Sequence, residues 1–130
     1  MVQVEPGSVA TDFENRSFGE ELLLCQRYYQ KLSAAGRFGV GQCYSTTSGE
    51  VHLWLPTSMR SAANVTFSAA STFVVFSAAG SNITVTAISP VSSDLYHHGF
   101  SINTASGLAG GDGLVLYNSG SASIEFSSEL

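Results

Sequence analysis

Charge is what this chain has least of: only 12% of its 130 residues are Asp, Glu, Lys or Arg, against roughly a quarter in an average globular protein. Five of these are basic against ten acidic, for a formal net charge of −5. Binding to nucleic acid needs clustered Lys and Arg to meet phosphates; here the basic residues are few and dispersed, so nucleic acid is not an expected partner. Long hydrophobic runs are also missing. No window approaches the roughly 18 consecutive apolar residues of a membrane-spanning helix, so membrane insertion by a helix is not expected. The longest apolar stretch, "TFVVFSAAG" from Thr72 to Gly80, suits a buried strand. The opening residues, "MVQVEPGSVATDFENRS", hold no basic segment followed by an apolar one, so no cleaved signal peptide is expected. Two cysteines, Cys25 and Cys43, are too few for a disulfide framework, and neither has metal-ligand or redox spacing. One disulfide between them and two free thiols both stay open.

Several chemistries fall away for the same reason. Hydrolysis needs paired carboxylates or a nucleophile with its base. Glu5, Asp12, Glu14, Glu20 and Glu21 cluster at the N-terminus, Asp94, Glu125 and Glu129 are scattered, and no serine lies in a Gly-X-Ser-X-Gly elbow. No catalytic residue is assigned, and an enzyme is not expected. "GLAGGDG" has no following Lys-Ser/Thr and no following helix, which excludes a phosphate loop. Asp112 within it offers one carboxylate where calcium needs six or more oxygens, so a tight turn is the expected role. His97 and His98 are adjacent. On a strand, neighbours point to opposite faces, so the two cannot ligate one ion from one chain, and one half-exposed and one packed histidine are expected. No metal or cofactor is expected.

What is present reads as strands. "VHLWLP" alternates Val51, Leu53 and Leu55 against His52 and Trp54; "NVTF" and "NITVTAI" alternate apolar residues with Asn and Thr. "FVVF", "HGFSI", "LVLY" and "SIEF" add four more, separated by turns at Ala79-Gly80-Ser81, Gly110 to Gly113 and Asn118-Ser119-Gly120. About eight short strands predict a mainly β fold, an antiparallel, jelly-roll-like β-sandwich. One short helix precedes it, from about Phe18 to at least Gln26. Ser17 with Glu20 three residues on is a capping box, and Glu20 and Glu21 sit in the first turn, where the helix dipole favours negative charge. Leu22, Cys25 and Tyr29 recur at helical spacing and are expected to be packing or interface residues. "RYYQKL" either finishes the helix or begins a strand. Residues 1–16 are expected to be a strand end and linker from an upstream module, and 17–130 a single C-terminal β-sandwich domain with the helix leading.

Exposed aromatic rings suit the apolar faces of sugars. Trp54, Tyr44, Tyr96 and Tyr117 are candidates, and Tyr96, His97 and His98, just after the polar "SSD" turn, form the expected recognition edge together with Trp54.

Three segments carry a resemblance. "VQVEPGSVATDFENRSFGEELLLCQRYYQ" resembles the "QLEPGSVATPFE-R-YGEEL-LCQRYY" junction that precedes the last domain of many tail fibre and receptor-binding (minor tail) proteins of tailed bacteriophages. "PTSMRSAANVTF" is similar to the later "P-MR-AP-VT" segment of that family, and the closing "SIEFSSEL" to its "I-F-AEL". Asp12 stands where the family has Pro, Phe18 where it has Tyr, and Ala63-Asn64 where it has Pro-Thr. The resemblance implies a homotrimeric distal fibre domain in the virion. It touches a host cell-surface glycan or protein and follows a jelly-roll module whose last strand would be "VQVE". The helix would then be a connector near the threefold axis. Two other readings are a stand-alone carbohydrate-binding module and a purely structural virion knob or trimerisation domain.

Overall fold

The computed structural model describes residues 16–33 and 36–128; the strand end and linker expected over residues 1–16 fall outside them except for Arg16. Helix α1 spans Phe18–Gln26. Its start is the expected capping box: the Glu20 amide donates to Ser17 Oγ at 3.3 Å and the Ser17 amide to the Glu20 carboxylate at 2.9 Å, which satisfies two donors that a helix start leaves orphaned. The two segments after it resolve the ambiguity of "RYYQKL" in favour of a strand. The strands are β1 Tyr29–Leu32, β2 Arg37–Cys43, β3 Ser48–Trp54, β4 Asn64–Phe67, β5 Phe73–Ser77, β6 Gly80–Ser93, β7 His97–Thr104, β8 Gly113–Asn118 and β9 Ile124–Ser127.

All pairings are antiparallel. Six strands close into a barrel in the order β2-β3-β7-β6-β5-β8, with β8 returning to β2, and β1-β9-β4 form a second, three-stranded sheet. The mainly β, antiparallel fold with one helix is as expected. The finer expectation of a jelly-roll-like sandwich is not confirmed, because hydrogen bonding carries six strands round to a closed ring. Two local features permit that closure. Strand β6 runs for 14 residues with irregularities between Val85 and Ala87 and between Pro90 and Ser92; bulges bend and twist a strand, and Pro90 sits beside one, where a missing N–H is tolerated. On the other side of the barrel, β2 carries glycine where β3 approaches: a Cβ on Gly41 would lie 1.8 Å from the Glu50 carbonyl oxygen.

One apolar core serves both sheets. Val51, Leu53, Phe73, Val75, Phe100, Ile102, Leu114 and Leu116 from the barrel are buried with Ile124 and Phe126 from β9. Aromatic rings make the junction: Phe67 of β4 meets Phe100 of β7 edge-on at 5.1 Å, and Phe126 lies 4.6 Å from the His98 ring. The second sheet is also tied by polar contacts. Gln30 Nε2 donates to the Thr57 carbonyl at 2.7 Å, Ser128 Oγ to the Arg27 carbonyl at 2.9 Å, and the Arg60 guanidinium lies 5.4 Å over the Tyr28 ring.

Phe100 stands where the two sheets meet, fully buried. Replacement with Ala is expected to lower the unfolding free energy by about 3–5 kcal/mol, read as a shift of the urea midpoint. A loss under about 1 kcal/mol would contradict the placement of the core junction.

Candidate functional site

Strand β7 alternates, except that Gly99 on the outer face is covered by neighbouring side chains. His98, Phe100, Ile102 and Thr104 point inward and are buried, while His97, Ser101 and Asn103 lie on the outer face. The expectation that one of the two histidines is packed and the other half-exposed is met. The inclusion of His98 in the recognition edge is not, since it has no exposed surface. Its Nδ1 pairs with Ser93 Oγ at 3.2 Å, its Nε2 has no partner, and its ring lies nearly parallel to Phe100. Burial, and secondarily His97 nearby, pushes its pKa below the ordinary histidine value despite the opposing pull of Asp94. Inside the core it is a neutral packing group.

The outer face is where chemistry gathers. Register pairs Trp54 with His97, His52 with Gly99, and Glu50 with Ser101, so Glu50, His52 and Trp54 make a row along β3 with His97 beside its end. Trp54 is 59% exposed, and its ring centroid is 5.0 Å from that of His97. His52 Nδ1 and His97 Nε2 are 3.1 Å apart, with ring planes within 11° and centroids at 5.1 Å. With the centroids that far apart and the nitrogens in hydrogen-bond range, the rings meet through their edges. On its other side, His52 Nε2 faces Glu50 Oε1 at 3.5 Å, and Tyr44 donates its hydroxyl to Glu50 Oε2 at 2.5 Å. That bond to the carboxylate holds the Tyr44 hydroxyl pKa above the usual tyrosine value, with desolvation adding to it.

Gly99 lets this row lie flat. A Cβ there would come within 2.6 Å of Ser92 Oγ, 3.1 Å of Glu50 Oε1 and 3.2 Å of His52 Nδ1. A side chain there would make Ser92 Oγ move and displace the imidazole and carboxylate by a few tenths of an ångström. Beyond Trp54, a surface groove of about 280 Å³ runs between β2 and β3, lined by Arg37, Val40, His52 and Trp54 among others.

The remaining sequence candidates are not part of this row. Tyr96 is exposed in the turn before β7 and accepts the Leu55 amide at its carbonyl, but its ring makes no aromatic contact with Trp54 or His97. Tyr117 bonds through its hydroxyl to the Asn82 side chain. Leu22, Cys25 and Tyr29 are exposed, and α1 buries none of its residues. Cys25 therefore does not belong to the core of the chain; Cys43 does, and both thiols are free. Asp112 occupies the tight turn expected of it, with its amide bonded to the Ala109 carbonyl at 3.2 Å. Among the described residues no group of three His, Cys, Asp or Glu is arranged to hold a metal ion.

Sequence reasoning reached Trp54 and His97 but passed over Glu50 and His52. The alternation of "GEVHLW" already places these two on the face of Trp54; what it lacks is the register that brings His97 alongside. The finished surface offers an open indole face bordered by imidazole, carboxylate and hydroxyl groups, a combination that can stack on a ring and hydrogen-bond its substituents. No protein family, no curated protein and no solved structure matches the chain.

Two outcomes follow from this geometry. Unfolded His98 takes up a proton as pH falls through about 6.5 while native His98 resists until lower pH, so its contribution to stability is present above that pH and is lost as pH falls below it. Between about pH 6.5 and 5 the urea midpoint of His98→Phe should fall less than that of the wild type; parallel slopes would contradict a buried neutral His98. Gly99→Ala should stay folded, since Ser92 Oγ can rotate away, but should separate His52 from His97. Imidazole NMR resonances of both residues are expected to change, and unchanged resonances would show that Gly99 does not position the pair.

Proposed function

We propose that this chain is a distal domain of a bacteriophage tail fibre and that it works by adhesion, holding a host cell-surface glycan on the outer face of β3 and β7. One observation carries the reading: Trp54 is more than half exposed and set against His97, which pairs with His52, while His52 faces Glu50 at 3.5 Å and Glu50 accepts the Tyr44 hydroxyl. A large aromatic ring left open to water forgoes the stabilisation of burial, and a polar border turns it into a sugar platform in which stacking supplies affinity and hydrogen bonds supply orientation. The three resembling segments supply the biological setting, the virion tail. In that setting the domain meets the host from outside the cell.

The helix supports the homotrimeric part of the proposal. Phe18 is 83% exposed and Leu23 55%, with Leu22 and Leu24 beside them. Nothing in the described chain covers these side chains, and the low surface charge is in keeping with faces shared between copies. A monomeric carbohydrate-binding module is the second reading. It needs no second copy to bring Trp54, His97, His52, Glu50 and Tyr44 together.

Binding on a glycan array is expected for the wild type and should weaken severalfold to about tenfold for Trp54→Ala, in line with the stacking worth of one aromatic ring. Equal binding by both proteins would overturn the platform. Sedimentation equilibrium should give three times the 13.6 kDa chain mass, and Leu22→Glu with Leu23→Glu should reduce it toward one. A wild-type monomer that still binds glycans would favour the module instead.

A further inference from the structure

The groove beside Trp54 differs from the row on β3 in carrying a cation. The register that pairs Val40 with His52 brings the beginning of β2 next to the end of β3, so Arg37 and Trp54 line the same groove. An irregularity between Arg37 and Gly39 in the pairing with β8 sorts the neighbouring side chains. Phe38 goes to the core, 5.6 Å from Phe73, and Arg37 stays exposed. Bulges commonly re-aim side chains in this way.

Arg37 is also unengaged. Lys31 is bonded to Glu125 at 2.7 Å, Arg16 faces Glu21 at 3.7 Å, and Arg60 covers Tyr28. Among the described residues the Arg37 guanidinium makes no hydrogen bond, ion pair or ring contact. Of the five basic residues, Arg27 at the end of α1 likewise has no side-chain partner among the described residues; what distinguishes Arg37 is that it lines a groove together with the exposed tryptophan. The nearest acid of the row does not compete for it. Glu50 is turned to the Tyr44 hydroxyl and His52 and does not line the groove.

We infer that the glycan unit seated in this groove is acidic, its ring on Trp54 and its anionic group, a carboxylate or a phosphate ester, on the Arg37 guanidinium. The inference rests on the adhesion reading given above and narrows its ligand class. At about 280 Å³ and largely open to solvent, the groove is smaller than the usual ligand cavity, so it takes no more than one sugar unit of a polymer. Planar guanidinium matches both anions through paired N–H donors. Because the chain as a whole is negative, attraction is confined to this contact instead of spread over the surface, and specificity for the acidic unit depends on Arg37 alone.

The test uses the full chain and three probes matched in length: oligoglucose, oligoglucuronate, and oligoglucose bearing a phosphate ester. Trp54 is the only tryptophan, so its fluorescence reports occupancy of the groove. At least one acidic probe is expected to bind roughly tenfold or more tightly than oligoglucose, as a charge-assisted hydrogen bond allows. The probe preferred shows whether carboxylate or phosphate is the natural group. Arg37→Gln should abolish the preference of the acidic probes over oligoglucose, and Arg37→Lys should restore only part of it. If all three probes bind alike and Arg37→Gln changes nothing, the acidic unit is refuted while glycan adhesion stands. If no probe binds at millimolar concentration and Trp54 gives no response, both are refuted.

Discussion

Burial of Phe100 is the constraint on which the rest of this structure depends. The residue lies where the barrel meets the three-stranded sheet, in contact with Phe67 and near Phe126. Strand side chains alternate with a period of two, so anchoring one fixes every other, and a slip by one residue would exchange the two faces. With Phe100 inside, His98 must be inside as well, and His97, Gly99 and Ser101 must be outside. The composition of the outer face is therefore a consequence of core packing. Its parts are held at their positions by side chains that never reach the surface.

Electrostatics follow the same division. The interior takes one titratable ring, His98, and keeps it neutral; the exterior collects the interacting polar groups into a row from Tyr44 through Glu50 and His52 to His97. Glycine at position 99 removes the one side chain that would interrupt it. At the far end, Arg37 and Trp54 border a groove that no other part of the described chain fills. A rigid row on barrel strands suits recognition, because a site built on strands is held more tightly than one on loops.

Much of the fold was legible in the sequence, and the exceptions have physical causes. Alternating Val51, Leu53 and Leu55 marked β3, and Ser17 with Glu20 marked the helix start, because both patterns are local. Strand β6 was seen only in its first half: Pro90 normally argues against a strand, and only the bulge beside it makes the residue acceptable there. Closure of the barrel depends on how β8 returns to β2, a long-range pairing with no local mark. Helical spacing of Leu22, Cys25 and Tyr29 suggested packing, yet Tyr29 already belongs to β1 and the helix is uncovered within the chain. Trp54 and His97 were recognisable one by one, whereas their contact exists only through the β3–β7 register.

Adhesion by the outer face of β3 and β7 is the central claim, and NMR can observe it at the residue concerned. The indole N–H resonance of Trp54, unique in this chain, should be followed while surface polysaccharide from a susceptible host is added. This resonance should move together with the imidazole resonances of His52 and His97, while those of buried His98 and of helix α1 stay in place. A stationary Trp54 resonance, with changes confined to the helix or absent altogether, would contradict it.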